Sequence, residues 1–393
     1  MKALPKIVVV VAFLAVLFIG AAMATPDRVT VGPFVGCDYV TDGVDDGATV
    51  NTAWAAVSAN GTVELQGDLY VDLAAIHLDN TQFPTANHYL MRTKTLTSLD
   101  NARVHLNTAS ARNLIEVHGA GIAIENLQLD GKHLDTDMGT IYHSGCNGIY
   151  IIDGTNLRLT NLVIQGTGDA GIRIAETASY ITGYREWSNL YISLCYTGFT
   201  SYGMGDTIIN NMVIANPRSY CVDFRKYAGY TKFSNCHFWQ GGNALLNEAK
   251  RQQYFWDWTC SVLLGGFGYN QFDNCEFDSY NYYAVYNWED TSGGWAGHTG
   301  GHNLYTNCRF DGGCPPVGGA SYAYPLCILT DYNVVTGNKF EDAIDYLYYQ
   351  VYIESGALYN VIDGNVLYSK NRGHGNSCIY NNGGSTNKIG TNA

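Results

Sequence analysis

The sequence predicts an all-β fold, a single-chain parallel β-helix in which short strands stack coil upon coil. Three observations predict it: one Asn-centred phrase recurs nine times, apolar and polar residues alternate after each Asn, and further strand-like segments separate the copies. Successive anchor Asn residues lie 22 to 39 positions apart. A repeat of this length indicates stacked supersecondary units that bury a shared core.

The repeated phrase has the pattern of a strand with one buried face. The residues one and three positions after the Asn are mostly apolar, and the residue between them is free to be polar. Asn tolerates left-handed backbone geometry, so we expect it at the bend before the strand, where its amide can bond to the Asn of the next coil about 4.8 Å away. The nine anchors are Asn126, Asn161, Asn189, Asn211, Asn235, Asn274, Asn307, Asn338 and Asn365.

Two further strand families complete each turn. One family has the same alternation, at residues 148–151, 171–174, 198–200, 221–224, 244–246, 284–286, 327–329 and 378–380. The other lies just upstream of the Asn, as at residues 302–305, 332–335 and 359–362. Three short strands per turn are typical of a parallel β-helix with a continuous core.

The N-terminal residues predict export and a capped solenoid. Residues 1–24 have the pattern of a signal peptide, with two lysines before an apolar run and Ala-Met-Ala before Thr25; an uncleaved membrane anchor is the alternative. Helical spacing of Val50, Ala53, Trp54 and Val57 predicts a short capping helix. We therefore predict three segments: a signal peptide at 1–24, the cap and first coils at 25–110, and the remaining β-helix at 111–393.

The segment 38–46, followed by 61–65 and 67–71, resembles the opening of pectate-lyase-like surface proteins. The chain is similar over nearly its whole mature length to the right-handed parallel β-helix superfamily, which includes pectate lyases, polygalacturonases and phage tailspikes. The resemblance implies an exported or surface protein with a helix over the open end, and tailspikes imply a homotrimer by analogy. The paired Asp of polygalacturonases is absent, since 168–170 has one Asp, and no calcium-carboxylate pattern of pectate lyases is recognisable.

The amino-acid composition limits the classes of molecule that this protein is expected to bind. The net charge is −13 with only 22 Lys and Arg residues. The chain therefore lacks the excess of positive charge that is typical of a nucleic-acid-binding protein. A polyanionic substrate would need a cation such as Ca²⁺ to bridge it; no other cofactor is evident. Thirty Tyr and seven Trp suit contacts with sugar rings, although Tyr also packs along strand exteriors for its β-propensity alone.

The eleven cysteines fit the repeat better than they fit a disulfide framework. Cys236, Cys275 and Cys308 occupy the same inward position in three successive coils, and Cys221, Cys327 and Cys378 are expected at a small inward position of another strand family. Neighbouring stacked cysteines could still oxidise, since the coil spacing allows a disulfide.

Candidate catalytic residues lie in two outward columns of the second strand family. Alternation places Arg173 and Asp223 in one column, and Arg225 and Glu248 in the next. Carboxylates beside guanidinium groups could cleave a glycosidic bond by acid/base catalysis, or remove a sugar proton for β-elimination. The alternative interpretation is an ordinary ladder of surface ion pairs.

Aromatic residues and insertions flank this group. Tyr202, Tyr286 and Trp288 are expected to bind substrate beside it, and insertions at 250–270 and 287–302 are expected to wall the same face. The sequence therefore predicts a secreted or cell-surface β-helix that binds, and cleaves as a lyase or glycoside hydrolase, an extracellular polysaccharide. The alternative is a non-catalytic, spike-like surface protein that binds glycans. No nucleic acid partner and no membrane span after signal cleavage are expected.

Overall fold

A computed structural model describes residues 25–80, 93–106, 112–131, 145–175, 185–203, 206–239, 260–278, 283–288, 300–312, 324–341, 349–370 and 372–393. These residues form 33 β-strands, one α-helix and one 3₁₀ helix. The predicted signal peptide and the predicted boundary between residues 110 and 111 lie outside the described residues and stay predictions. No helix within the described ranges is long and apolar enough to span a membrane.

The elements follow one another as a regular series. The first part of the chain contains β1 (Arg28–Gly32), β2 (Tyr39–Val40), α1 (Gly47–Ala56), β3 (Thr62–Leu65), β4 (Asp68–Val71), β5 (Ile76–Asn80), β6 (Lys94–Ser98), β7 (Arg103–Leu106), β8 (Ile115–Gly119), β9 (Ile122–Asp130), β10 (Ile149–Asp153) and β11 (Arg158–Gln165). The middle part contains β12 (Ala170–Ile174), β13 (Arg185–Ser193), β14 (Thr197–Ser201), β15 (Thr207–Ala215), β16 (Val222–Arg225), β17 (Thr231–Ser234), β18 (His237–Trp239), β19 (Cys260–Gly265), β20 (Gln271–Asp273), β21 (Glu276–Asp278) and β22 (Tyr283–Asn287).

The last part contains β23 (Leu304–Thr306), β24 (Arg309–Asp311), β25 (Tyr324–Ile328), β26 (Val334–Thr336), β27 (Lys339–Glu341), β28 (Val351–Ile353), β29 (Val361–Asp363), β30 (Val366–Ser369), β31 (Gly373–His374), β32 (Ile379–Asn381) and β33 (Lys388–Ile389), with the 3₁₀ helix at Gly375–Cys378. Every described strand pair is parallel except β30 with β31. The fold is thus a parallel β-helix, as predicted.

Each turn of the solenoid contributes strands to three columns. One column is a separate 11-stranded sheet with the order β5-β8-β10-β12-β14-β16-β19-β22-β25-β28-β32, which we call the first sheet. The other two columns are joined into a 22-stranded sheet, because β9, β11, β13 and β15 run through the bend between them. The three predicted strand families correspond to these three columns, except that β19 takes the place predicted for residues 244–246 and β25 lies at Tyr324–Ile328 rather than at 327–329.

The Asn residues at the bends form the predicted ladder. Asn126, Asn161 and Asn189 have φ between 55° and 58°, the left-handed region. Asn161 donates its amide to Asn126 at 3.0 Å, and Asn189 donates to Asn161 at 3.0 Å. In the last two copies, however, Gly337 and Gly364 take the left-handed position instead.

In those copies the anchor Asn lies one residue further along, inside the fold. Asn338 and Asn365 are buried, and Asn338 Oδ1 accepts a hydrogen bond from the backbone N–H of Cys308 at 2.8 Å. The Asn side chains thus continue the column that Cys236, Cys275 and Cys308 begin.

A second buried ladder lies at the bend between the first sheet and the next column. Its members are Asn270, Asn303, Asn333, Asn360 and Asn387, and each of the first four donates from its amide to the Asn of the following coil at 2.9–3.2 Å. Each of the last four also accepts, through its Oδ1, the backbone N–H of the preceding coil's Asn at 2.8–3.0 Å. The ladder therefore satisfies backbone groups that water cannot reach.

Stacked apolar side chains fill the interior as one continuous cluster. Phe277 and Phe310 have ring centroids 4.7 Å apart, and Phe310 and Phe340 4.3 Å apart, in nearly parallel planes. Parallel in-register strands place identical positions one above another, so a Phe at one position packs on the Phe of the next coil.

Cysteines also serve as core residues. The ten cysteines in the described ranges are free thiols, and all but Cys37 are buried. Cys236, Cys275 and Cys308 stack as predicted. The prediction for Cys327 is wrong: the observed register places Leu326 opposite Val285, so Cys327 lies opposite Tyr286 and Tyr352 in the outward column and not opposite Ala284.

The predicted capping helix is α1. Its residues Val50, Ala53 and Trp54 are buried. The helix covers β5, the terminal strand of the first sheet: Trp54 Nε1 donates to the carbonyl of Asp79 at 3.0 Å, and Asn51 Oδ1 accepts the N–H of His77 at 2.6 Å. These bonds give partners to backbone groups at the free edge of β5, which could otherwise pair with a strand of another chain.

Candidate functional site

The candidate site lies on the outer face of the first sheet, meaning the side chains of its strands that point away from the core. Register defines one outward column along this face. Its members are Glu116, Tyr150, Arg173, Thr200, Asp223, Leu263, Tyr286, Cys327, Tyr352 and Tyr380. Arg173 and Asp223 lie two strands apart as predicted, a separation of roughly 9–10 Å along the solenoid axis.

Asp223 and Arg225 form the centre of the site. Both belong to β16, where Val222 and Phe224 face the core, so Asp223 and Arg225 point outward together. Arg225 Nε donates to Asp223 Oδ1 at 2.8 Å, and Asp223 is only 6% exposed. Burial alone would lower the pKa of Arg225, but the Asp223 carboxylate outweighs burial and raises it. Asp223 and Arg225 therefore form a partly buried ion pair on the outer face of the first sheet.

A second ion pair lies two strands earlier. Arg173 Nη1 donates to Asp169 Oδ2 at 2.6 Å, with both side chains partly exposed. The guanidinium carbon of Arg173 is 5.3 Å from the centre of the Tyr202 ring, and Lys226 Nζ is 5.9 Å from the same ring. Tyr202 thus lies between the two ion pairs, in contact with cations, as predicted for a flanking residue.

Burial changes the pKa of two tyrosines at this face. Burial, with a smaller contribution from Asp223, raises the pKa of Tyr202. Burial likewise raises the pKa of Tyr220 to about 12. Both hydroxyls are protonated at neutral pH and can donate hydrogen bonds to an oxygen placed beside them.

The predicted position of Glu248 is wrong. The strand that pairs with β16 is β19, and Gly265 is the residue opposite Arg225. Residues 244–246 were predicted as that strand, and the predicted insertion at 250–270 in fact contains β19. Glu248 itself lies outside the described residues. The error arose because Ala244-Leu245-Leu246 has the same alternation as the true strand.

Trp288 lies beside Arg225 because Gly265 leaves room for it. A methyl group at Gly265 would overlap the indole of Trp288, and the backbone N–H of Trp288 donates to the Leu264 carbonyl at 3.0 Å. The indole Nε1 is buried and has no hydrogen-bond acceptor among the described residues. Trp288 was predicted to flank the site, and the structure brings it there.

Tyr286 belongs to a larger aromatic surface next to the ion pairs. This surface, which we call the aromatic patch, packs on Cys260, Leu263, Tyr283 and Cys327. The residues around these four are Tyr220, Tyr286, Trp288, Tyr324, Leu329 and Tyr352. Rings continue along the axis, since Tyr352 and Tyr380 stack with centroids 5.0 Å apart.

Sequence reasoning missed several residues of this face. Asp169 precedes its strand and Tyr220, Tyr283 and Tyr324 begin or precede theirs, so none fell in the two predicted columns. One signal was available for the tyrosines: in these strands a Tyr stands two to four residues before the two apolar residues that face the core. No comparable signal marks Asp169.

The groups that could bind a metal ion lie away from the two Asp–Arg pairs. Within the described ranges two clusters of histidine and carboxylate groups could hold an ion, namely His77 with Glu116 and His118, and His237 with Glu276 and Asp278. Neither includes Asp169 or Asp223. The expectation of Ca²⁺ at the candidate site stays a hypothesis.

Solved structures with the same fold are known. The enzymatically active domain of tailspike protein 2 from bacteriophage CBA120 is 12% identical with a TM-score of 0.61, over 92% of this chain and 52% of that one. An alginate lyase from Paenibacillus sp. str. FPU-7 is 13% identical with a TM-score of 0.54, over 92% and 99%. ORF18 of Geobacillus virus E2 is 13% identical with a TM-score of 0.53, over 100% and 64%.

These comparisons define the fold of the chain. It is the right-handed parallel β-helix, in agreement with the sequence resemblance. The chain spans less than two thirds of the length of the two viral chains. No protein-family model matches the sequence, and no curated protein sequence matches it significantly.

Proposed function

We propose that this protein binds a polysaccharide along the outer face of the first sheet and cleaves it beside Asp223. The observation that carries the proposal is the joining of two Asp–Arg pairs to an aromatic patch on one face of a rigid solenoid. The Arg and Tyr groups offer hydrogen bonds to sugar oxygens, and the rings offer apolar area to sugar faces. The fold likeness to an alginate lyase and an enzymatically active tailspike domain supports a carbohydrate ligand.

Two reaction classes fit the chemical groups. In hydrolysis, one carboxyl protonates the leaving oxygen while another carboxylate takes a proton from the attacking water. In β-elimination, a base removes the proton next to a uronate carboxylate, an Arg neutralises that carboxylate, and a donor such as Tyr202 protonates the leaving oxygen. Asp223 is the proposed acid/base group in either class, and Arg173 and Arg225 are the proposed charge-stabilising groups.

The test compares two chemically matched Asp residues. Asp223→Asn should reduce turnover on the responding glycan at least 100-fold, because removal of a positioned acid/base group has an effect of about 10²–10⁴. Asp311→Asn is the control, since Asp311 also pairs with an Arg two residues away on the outside of a strand, but on a different face. Products are followed by the absorbance of unsaturated uronates and by reducing ends, with and without Ca²⁺.

The product identifies the reaction. Unsaturated ends define a lyase, and reducing ends alone define a hydrolase. Full activity in Asp223→Asn would place the reaction elsewhere.

A non-catalytic binding function uses the same face. It is favoured by the pairing of Asp169 and Asp223 with arginines, which holds both carboxylates in contacts that also occur in structural ion pairs. In that case wild type forms no product on any glycan, while Trp288→Ala still weakens glycan binding.

The proposal includes export to the cell surface or medium. The apolar N-terminal segment supports it, because that segment has the pattern of a signal peptide. N-terminal sequencing of the exported protein tests it, with a first residue near Thr25 expected. A homotrimer is implied by analogy with tailspikes, and sedimentation equilibrium measures it.

A further inference from the structure

A histidine–carboxylate cluster lies at the N-terminal end of the outer face. His77 on β5 and Glu116 on β8 are paired directly across the two strands, and His118 lies two residues after Glu116 on the same side. One donor atom from each of the three residues lies within 4.8 Å of the others. The three side chains come from two adjacent strands of a rigid parallel sheet, so the backbone holds them in place.

Neighbouring groups orient two of the three donors. Glu116 Oε2 faces His77 Nδ1 at 3.0 Å, and its other oxygen accepts a hydrogen bond from Asn113 Nδ2 at 2.7 Å. His118 Nδ1 lies 4.0 Å from Asp153 Oδ1, and that oxygen accepts the N–H of Gly119 at 2.6 Å. Such outer contacts fix side-chain orientation in metal sites, where their loss typically weakens metal binding 10–100-fold.

The donor set and its spacing suit a divalent transition metal. Two imidazoles and one carboxylate are ligands preferred by Zn²⁺ and its neighbours over Ca²⁺ or Mg²⁺, which take oxygen ligands. With metal–ligand bonds of about 2.0–2.2 Å, the donors of one ion lie roughly 3–4 Å apart. Small side-chain rotations therefore bring the three donors to one ion.

The second cluster is less suited to an ion. His237, Glu276 and Asp278 offer a single imidazole, and Arg309 already contacts Glu276 at 3.2 Å. A guanidinium beside the carboxylate repels a second cation. The two clusters thus provide an internal comparison within one protein.

The geometry points to a divalent transition-metal site formed by His77, Glu116 and His118, independent of the proposed glycan cleavage. The ion links β5, the terminal strand of the first sheet, to β8. Binding to the folded state alone stabilises that state by mass action.

The test uses the full protein made without a histidine tag and stripped with a chelator. Titration with Co²⁺ is followed by its visible absorption, and Zn²⁺ competition is measured by equilibrium dialysis. We expect one equivalent bound by wild type and by His237→Ala, and a loss of at least 10-fold in affinity in His77→Ala and His118→Ala. Asn113→Ala should weaken binding about 10–100-fold, and the ion should raise Tm only in the proteins that bind it.

Partial exposure of His77 and His118 makes these variants compatible with folding, which circular dichroism verifies. Glu116→Gln supplies a second, shape-conserving variant. Equal affinity in wild type and His118→Ala, or no bound equivalent in wild type, would overturn the site. Binding that disappears in His237→Ala and persists in His118→Ala would place the ion at the other cluster and overturn it too.

Discussion

Asparagine side chains lie at two depths in this protein, and the depth decides what each contributes. At the exposed bends, residues such as Asn161 and Asn189 supply left-handed backbone geometry and a surface ladder. In the interior, Asn303, Asn333 and Asn360 bind backbone N–H groups of neighbouring coils. An amide lost from the interior leaves buried donors without partners, whereas water replaces one lost at the surface.

Asn333→Ala should therefore lower the free energy of unfolding by roughly 2–4 kcal/mol, since each buried group left unsatisfied costs about 1–3 kcal/mol. Asn333 Oδ1 accepts the N–H of Asn303 at 3.0 Å and the amide of Asn287 at 2.9 Å, and both donors are buried. Guanidinium denaturation followed by circular dichroism measures the change.

The control is Asn161→Gly at the exposed ladder. Gly accepts the left-handed geometry, so we expect a change below about 1 kcal/mol. Equal losses in the two variants would contradict the role assigned to depth.

At the candidate site, the alternation of apolar and polar residues predicted some side-chain positions correctly and others wrongly. Arg173, Asp223 and Arg225 were placed correctly because their strands are short and separated by similar lengths of chain. Glu248 was misplaced because the next coil carries a long insertion before its strand, and two apolar segments competed for one register. The pairing of strands in the folded protein decided between the two segments, and the sequence alone does not show that pairing.

Among the elements, the capping helix α1 connects stability to assembly. It is a single short helix, yet it covers the edge of β5 and places Trp54 against the first coil. Lys94, the first residue of β6 in the 22-stranded sheet, also contacts Trp54: its Nζ lies 4.8 Å from the centre of the Trp54 ring. Terminal caps of solenoids prevent the open end from pairing with other chains.

Trp54→Ala should cost about 3–5 kcal/mol, the usual range for a large aromatic side chain removed from a core. It should also promote association through the exposed edge, measured by light scattering at increasing concentration. Trp54→Phe is the control, because it keeps an aromatic ring in the core while it removes the bond to Asp79 and part of the indole. If Trp54→Ala were as stable and monodisperse as Trp54→Phe, the cap would not protect the edge as described.

Strand elements were predicted more reliably than their exact ends. All three families were identified because coils repeat the same inward and outward alternation. The shift from Asn to Gly at residues 337 and 364 was not predicted, since the phrase keeps its Asn while the left-handed position moves back by one residue. Gly serves there because it takes positive φ without strain.

For the whole molecule, the solenoid provides three long outer surfaces that differ in chemistry. The outer face of the first sheet carries the Asp–Arg pairs and the aromatic patch. A different surface carries Tyr230, Tyr269 and His302, whose rings stack face to face with centroids 4.5–5.0 Å apart. Stacked rings also occur in the aromatic patch, so the outer face of the first sheet is distinguished by the two Asp–Arg pairs that lie beside its rings.

This contrast leads to the central claim, that a polysaccharide lies along the outer face of the first sheet. A chain laid parallel to the axis crosses one strand about every 4.8 Å, and so meets Tyr202, Trp288 and Tyr352 in turn. Sequence alternation predicted this face, while the aromatic patch became visible only from the register of β19, β22 and β25.

The most direct measurement is a crystal structure of the inactive Asp223→Asn protein with oligosaccharides of the glycan selected by the panel. We expect the sugar rings over the outer face of the first sheet, with one glycosidic oxygen near residue 223 and Tyr202. Sugar bound on the surface of Tyr230, Tyr269 and His302, or at a subunit contact away from the first sheet, would contradict the claim.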